Sequence, residues 1–145
     1  IKVESLQTQF SLFHVDPLEK GLISVCLEKK MLLLCWSPLQ KGLLTGKKKY
    51  IHNNLVMQRA AGVLAQLQEF SEKYNVTLAQ LSLAWLMNLP DAVIPIVGTT
   101  NPKHIIECAK AVDIILDRDD WYELLMIARG KPIPDLPQIG QSMTN

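Results

Sequence analysis

Thr99, Thr100 and Asn101 directly precede Pro102, and Gly98 closes the apolar run before them. Asparagine followed by proline is a cap and first-turn pair for a helix. Free N–H groups and the helix dipole at such a terminus favour a phosphate, so the chemistry expected there is anion binding. A second candidate is the segment SPLQKGLLTG at 37–46. One proline and two glycines oppose regular structure in it, and it follows the apolar run MLLLCW at 31–36, which marks a functional loop at a strand's C-terminal end. Trp36, at that junction, reads as a buried core tryptophan, although its flat apolar surface could also carry a stacked ring.

Other reactive side chains lack a supporting pattern. His14 and His52 have no cysteine or carboxylate at ligand spacing, so no metal site is expected. Cys26, Cys35 and Cys108 are odd in number and widely spaced, which excludes CxxC zinc pairs and a disulfide framework and fits a reducing, cytoplasmic setting. Met31, Met57 and Met126 read as core filler. The lysines at 47–49 read as a solvated loop.

These loops must be held by regular elements. SLQTQFSLF (5–13) reads as a strand, and Asp16-Pro17 as the cap and first turn of a helix running to about residue 30. The run at 31–36 is short and continuously apolar, as a parallel strand covered on both faces would be. A long amphipathic helix is predicted over 54–74. Thr77 with Gln80 is a capping-box pattern for a helix over 77–89, which Pro90-Asp91 ends. AVIPIV (92–97) is a third strand, weakened by Pro95. Helices follow over 101–112 and from Asp117 and Asp120, which start the last one, to Arg129-Gly130. Strands alternating with helices predict an α/β fold with a parallel sheet, either a small open sheet or part of a closed barrel, and in both the strand C-termini hold the ligand.

The bulk properties agree with one compact unit. The chain has 145 residues, 48% of them hydrophobic and 20% charged, enough to bury a core. A net charge of +1 provides no global field for nucleic acid or an anionic membrane, so neither partner is expected. No apolar stretch approaches the roughly 20 residues that cross a bilayer, and the N-terminus lacks the order of a signal peptide. The chain begins with Ile1 rather than Met, from which a fragment with a missing upstream part is expected.

Three ordered motifs, Gln7-Thr8-Gln9-Phe10-Ser11, then Trp36-Ser37-Pro38-Leu39 with Gly42-Leu43-Leu44-Thr45-Gly46, then Ile94 to Pro102, resemble the last three strands and loops of aldo-keto reductases. The ending, with Trp121-Tyr122 and Ala128-Arg129-Gly130, is similar to the bacterial YdhF-type branch. The resemblance implies the C-terminal portion, about strands six to eight, of a (β/α)8 TIM barrel over 1–130, the nucleotide-binding half, with an irregular tail over 131–145. It implies NADP(H) as cofactor, with NAD not excluded, and a small carbonyl compound as the parent's substrate. The family's catalytic Tyr, Lys, Asp and His belong to the first half. No segment here matches them, so no catalytic residue is assigned, Tyr50, Tyr74 and Tyr122 included, and the chain alone is expected to be inactive.

By the same resemblance, Gln7 would bond the nicotinamide carboxamide and Trp36 would stack on its ring. Ser37, Leu39 and Lys41 would wrap the pyrophosphate. Gly98, Thr99 and His104 would receive the adenosine 2′-phosphate, and Glu107 the adenine amino group, with Cys108 as core or wall. Many members carry lysine where Gly98 stands and arginine where His104 stands, which leaves the choice between NADPH and NADH open. Two other classes use the same features: a regulatory nucleotide-binding module of the same fold, and a small open α/β phosphate binder, for which the sequence lacks a Gly-rich fingerprint. An isolated partial barrel leaves strand edges and an apolar inner face open, so self-association is expected.

Overall fold

Strand β1 (Ser5–Gln9), strand β2 (Leu32–Trp36) and strand β3 (Val93–Pro95) form one sheet in the order β1-β2-β3. Both pairings are parallel, with Gln7 opposite Leu34, Gln9 opposite Trp36 and Leu34 opposite Ile94. The computed structural model describes residues 2–46, 55–89 and 92–130. The lysines at 47–49, Tyr50, His52, the start of the 54–74 helix, Pro90-Asp91, the tail over 131–145 and the side chain of Met57 lie outside the described residues. Short helices α1 (Asp16–Glu19) and α2 (Leu22–Glu28) connect β1 to β2, and helices α3 (Leu55–Lys73) and α4 (Leu78–Met87) connect β2 to β3. Helices α5 (Pro102–Ala109) and α6 (Arg118–Arg129) follow β3.

Several expected boundaries are corrected. β1 stops at Gln9 because Phe10 turns into the core and Ser11 and His14 exchange backbone hydrogen bonds of 3.2 and 3.0 Å. The single helix expected over 16–30 is two, since Gly21 adopts a left-handed φ of 72° that a continuing helix excludes. Asp16 caps nothing: it lies inside α1, and its carboxylate accepts a hydrogen bond from Lys20 Nζ at 2.5 Å. The three later caps follow the sequence. Thr77 and Gln80 form both halves of the capping box, Asn101 Oδ1 accepts from Lys103 N, and Asp117 Oδ1 accepts from Asp119 N.

The run at 31–36 is not covered on both faces. Leu33 and Cys35 are fully buried under the helices, whereas Leu32 and Trp36 on the opposite face are 43% and 42% exposed. Ile94 and Ile96 add to the open side. Its apolar character therefore cannot be explained by burial within the described chain.

Helix α4 is the hub, with every residue from Leu78 to Leu86 buried. A helix apolar on all sides belongs in an interior, and α4 lies among the sheet, α3 and α5. Trp85, within it, stacks on Trp121 of α6 at 4.8 Å between ring centroids, and each indole N–H donates to the other residue's carbonyl.

A polar clamp joins α3 to α6. Lys73 Nζ donates to both Asp120 carboxylate oxygens at 2.7 Å, and Tyr74 Oη donates to Oδ2 at 2.5 Å while accepting from Asp117 N. The Lys73 hydrogen bond, then that of Tyr74, holds the Asp120 carboxyl below the usual carboxylate range. A depressed folded-state value gives stability that is present above the unfolded value of about 3.9 and lost as pH falls through the folded one. Thermal melts should thus lose stability below about pH 4, and Asp120→Asn should flatten that acid arm while lowering Tm near neutrality. Equal acid sensitivity in the variant would contradict the clamp.

Candidate functional site

At the C-terminal end of the sheet, the loops after β2 and β3 and the first turns of α5 enclose a cavity of about 550 Å³. Trp36, Ser37, Leu39, Lys41, Gly98, Thr99, His104 and Glu107, all singled out from the sequence, line it. Gln7 does not. It lies on β1, exposed, in register with Leu34 and so on the same open sheet face as Trp36. Pro38, Gly42, Thr45, Ala79, Ile96, Val97 and Cys108 complete the wall. Of these, Ala79 arrives from the hub helix, which no local pattern at the loops could disclose.

The β2 loop is tightly coiled. Ser37, Gln40 and Lys41 adopt left-handed φ values of 56°, 47° and 54°, followed by Gly42 at 91°. Leu44 anchors its far end in the core, and Leu39 O accepts from both Gly42 N and Leu44 N. In the β3 loop, Thr99 Oγ1 accepts from Asn101 N at 3.2 Å and lies 3.5 Å from His104 Nδ1. Glu107 is oriented by Thr77, whose hydroxyl donates to Oε1 at 2.9 Å, and by Gln80 Nε2, which donates to its carbonyl. The sequence marked Thr77 as a cap; its second role on Glu107 is a contact across 30 residues and left no local signal.

At the start of α5, where the sequence predicts an anion site, some of the N–H groups are already used. Asn101 N is taken by Thr99, Lys103 N by the Asn101 side chain, and Pro102 has no N–H to offer. Among the described residues, nothing accepts from the N–H groups of Ser37, Leu39, Gly98, Thr99 or Thr100. Free donors therefore come from both loops that flank the cavity, ahead of the helix rather than within it. Such groups suit a phosphate ester.

Thiolate attack by Cys35 or Cys108 is disfavoured. Burial, then the neighbouring Glu107 charge, pushes the Cys108 thiol up, and burial pushes Cys35 up to about 12, so both stay protonated at neutral pH. Tyr74 is committed to Asp120, Tyr122 packs edge-on against Trp121, and neither lines the cavity. Among the described residues no group of three or more His, Cys, Asp or Glu is placed to hold a metal, and no helix is long and apolar enough to cross a membrane.

The model of the aldo/keto reductase family matches residues 1–128. The chain belongs to that family. A 6-dehydroglucose reductase of Agrobacterium fabrum is 29% identical over 127 residues, covering 88% of this chain and 39% of the relative. A thermostable aldo-keto reductase solved with the inhibitor epalrestat superposes with a TM-score of 0.65 at 26% identity, over 85% of this chain and 39% of that one. An aldo-keto reductase from Klebsiella pneumoniae, solved with NADPH, gives 0.67 at 21% identity, over 91% and 40%. The chain thus spans about two-fifths of the length of the curated relatives it matches.

Proposed function

We propose that this chain is the C-terminal, cofactor-binding portion of an NADP(H)-dependent carbonyl reductase of the YdhF-type branch, with residues 1–130 forming part of a (β/α)8 barrel. The convergence of eight sequence-selected residues on one cavity at the strand C-termini carries this reading. Supporting it are the family membership, the NADPH held by a structural neighbour, and the short span relative to full-length relatives. The apolar open face of the sheet is what a barrel interior requires.

The residues present fit a nicotinamide dinucleotide. Trp36 presents a flat half-exposed face for the ring, with Gln7 on the same sheet face two strand positions back in register. The N–H groups of Ser37 and Leu39, which have no acceptor among the described residues, and the exposed Lys41 ammonium would serve the pyrophosphate. Gly98, Thr99 and His104 take the 2′-phosphate end, and Glu107, already fixed by Thr77, accepts from the adenine amino group. When bound, the reduced nicotinamide supplies the hydride for carbonyl reduction. The chain contributes binding and orientation, and the proton donor belongs to the other portion of the parent.

Calorimetric titration with NADPH tests the assignment. We expect saturable binding by the chain, a loss of about three- to tenfold in affinity for Trp36→Ala, as stacking alone supplies, and no carbonyl reduction by the chain on its own. Absence of binding, or a Trp36→Ala variant that binds undiminished, would overturn it. The same titration with NADH reads the cofactor choice directly.

A further inference from the structure

We infer that Gln40 is a positioning residue, whose side-chain carbonyl fastens the strained cavity loop to the end of β1 and so aligns the loop's free N–H groups for a phosphorylated ligand. Gln40 does not line the cavity. Its Oε1 accepts from Ser11 Oγ at 3.2 Å and from Gln9 Nε2 at 3.4 Å, both about 30 residues away in sequence. These donors are themselves fixed. Ser11 is fully buried and its backbone is locked to His14, while Gln9 sits opposite Trp36 in the sheet register.

The loop needs such an anchor. Left-handed backbone at a residue with a Cβ persists only where the surroundings over-determine it, and Ser37, Gln40 and Lys41 all adopt it within five positions. Gln40 N donates to Ser37 O at 2.9 Å, closing a turn in which the Ser37 and Leu39 N–H groups have no acceptor among the described residues. Leu44 holds the far end in the core, and the two side-chain hydrogen bonds to Gln40 hold the near end. Without them, the buried Ser11 hydroxyl loses its acceptor and the turn is free to relax toward right-handed conformations.

The inference rests on the cavity's being a dinucleotide site, and two readouts separate them. Amide hydrogen exchange on the ligand-free chain reads the tether, and NADPH titration reads its consequence. In Gln40→Ala we expect exchange at Gln40, Gly42 and Leu44 to accelerate about tenfold, with the amides of α4 unchanged, and NADPH affinity to fall about tenfold. Gln40→Glu, which keeps an acceptor at the same place, restores the exchange protection. Ser11→Ala, which leaves the loop sequence intact, accelerates the same three amides to a smaller degree, so a Gln40→Ala chain that failed to fold would leave the inference open to refutation there. Unchanged loop exchange in both variants would overturn it. Accelerated exchange in a chain that binds no NADPH would leave the tether standing and remove the dinucleotide assignment instead.

Discussion

Trp85→Ala is expected to cost about 3–5 kcal/mol of stability, the range for deleting a fully buried tryptophan. Trp85 has no solvent exposure, stacks on Trp121 with 7° between ring planes, and takes the edge of Phe10 at 5.8 Å. Its removal opens a cavity at the junction of the hub helix, the end of β1 and α6. It also strips Trp121 O of the indole donor that reaches it at 3.1 Å. Against a typical total of about 5–15 kcal/mol, the loss should lower Tm by about 10 °C or more. Trp85→Phe keeps most of the volume and loses only the N–H and part of the stack, so its cost should be roughly half or less. Urea unfolding of the three chains gives the order; an alanine variant within about 1 kcal/mol of the parent would show that the two indoles do not support the core.

The tryptophan pair illustrates what could and could not be read from sequence. Both helices that carry it were legible, because Thr77 with Gln80 and Asp117 with Gly130 are local signals of starts and stops. The pairing across 36 residues was not, since no periodicity links the two helices. The same division runs through the site. Trp36, Ser37, Leu39, Lys41, Gly98, Thr99, His104 and Glu107 stand at strand ends and a helix start, where position along the chain implies position in space, and they met in one cavity. Gln40, Thr77 and Ala79 act there through long-range contacts, and the sequence offered Thr77 only as a cap. Asp16 shows the reverse error. Asp before Pro has the composition of a cap, yet the turn between Ser11 and His14 brings the chain into the helix one residue early, at Val15.

The run at 31–36 misled for a more informative reason. Continuous apolarity implies two covered faces, and only one is covered among the described residues, leaving Leu32, Leu34, Trp36, Ile94 and Ile96 on an open sheet whose outer strands β1 and β3 both have unpaired edges. On the partial-barrel proposal, the parent's other strands close over this face. The chain by itself should then bury it by self-association, because a contiguous apolar patch beside open strand edges is a ready template for pairing. Sedimentation at tens of micromolar should therefore show dimers or larger species. The double variant Leu32→Lys, Ile94→Lys should be monomeric with unchanged helix content, since both positions face water in the single chain and surface substitutions typically change stability by about 0.5 kcal/mol or less. Trp36 belongs to the open face and to the cavity wall alike, so association that covers it competes with the ring it would stack. The apparent NADPH affinity of the unsubstituted chain should accordingly weaken as its own concentration rises, and that dependence should vanish in the lysine variant. An unsubstituted chain that is monomeric throughout would refute the argument from the open face, because its apolar side chains would then be stable in water without a partner.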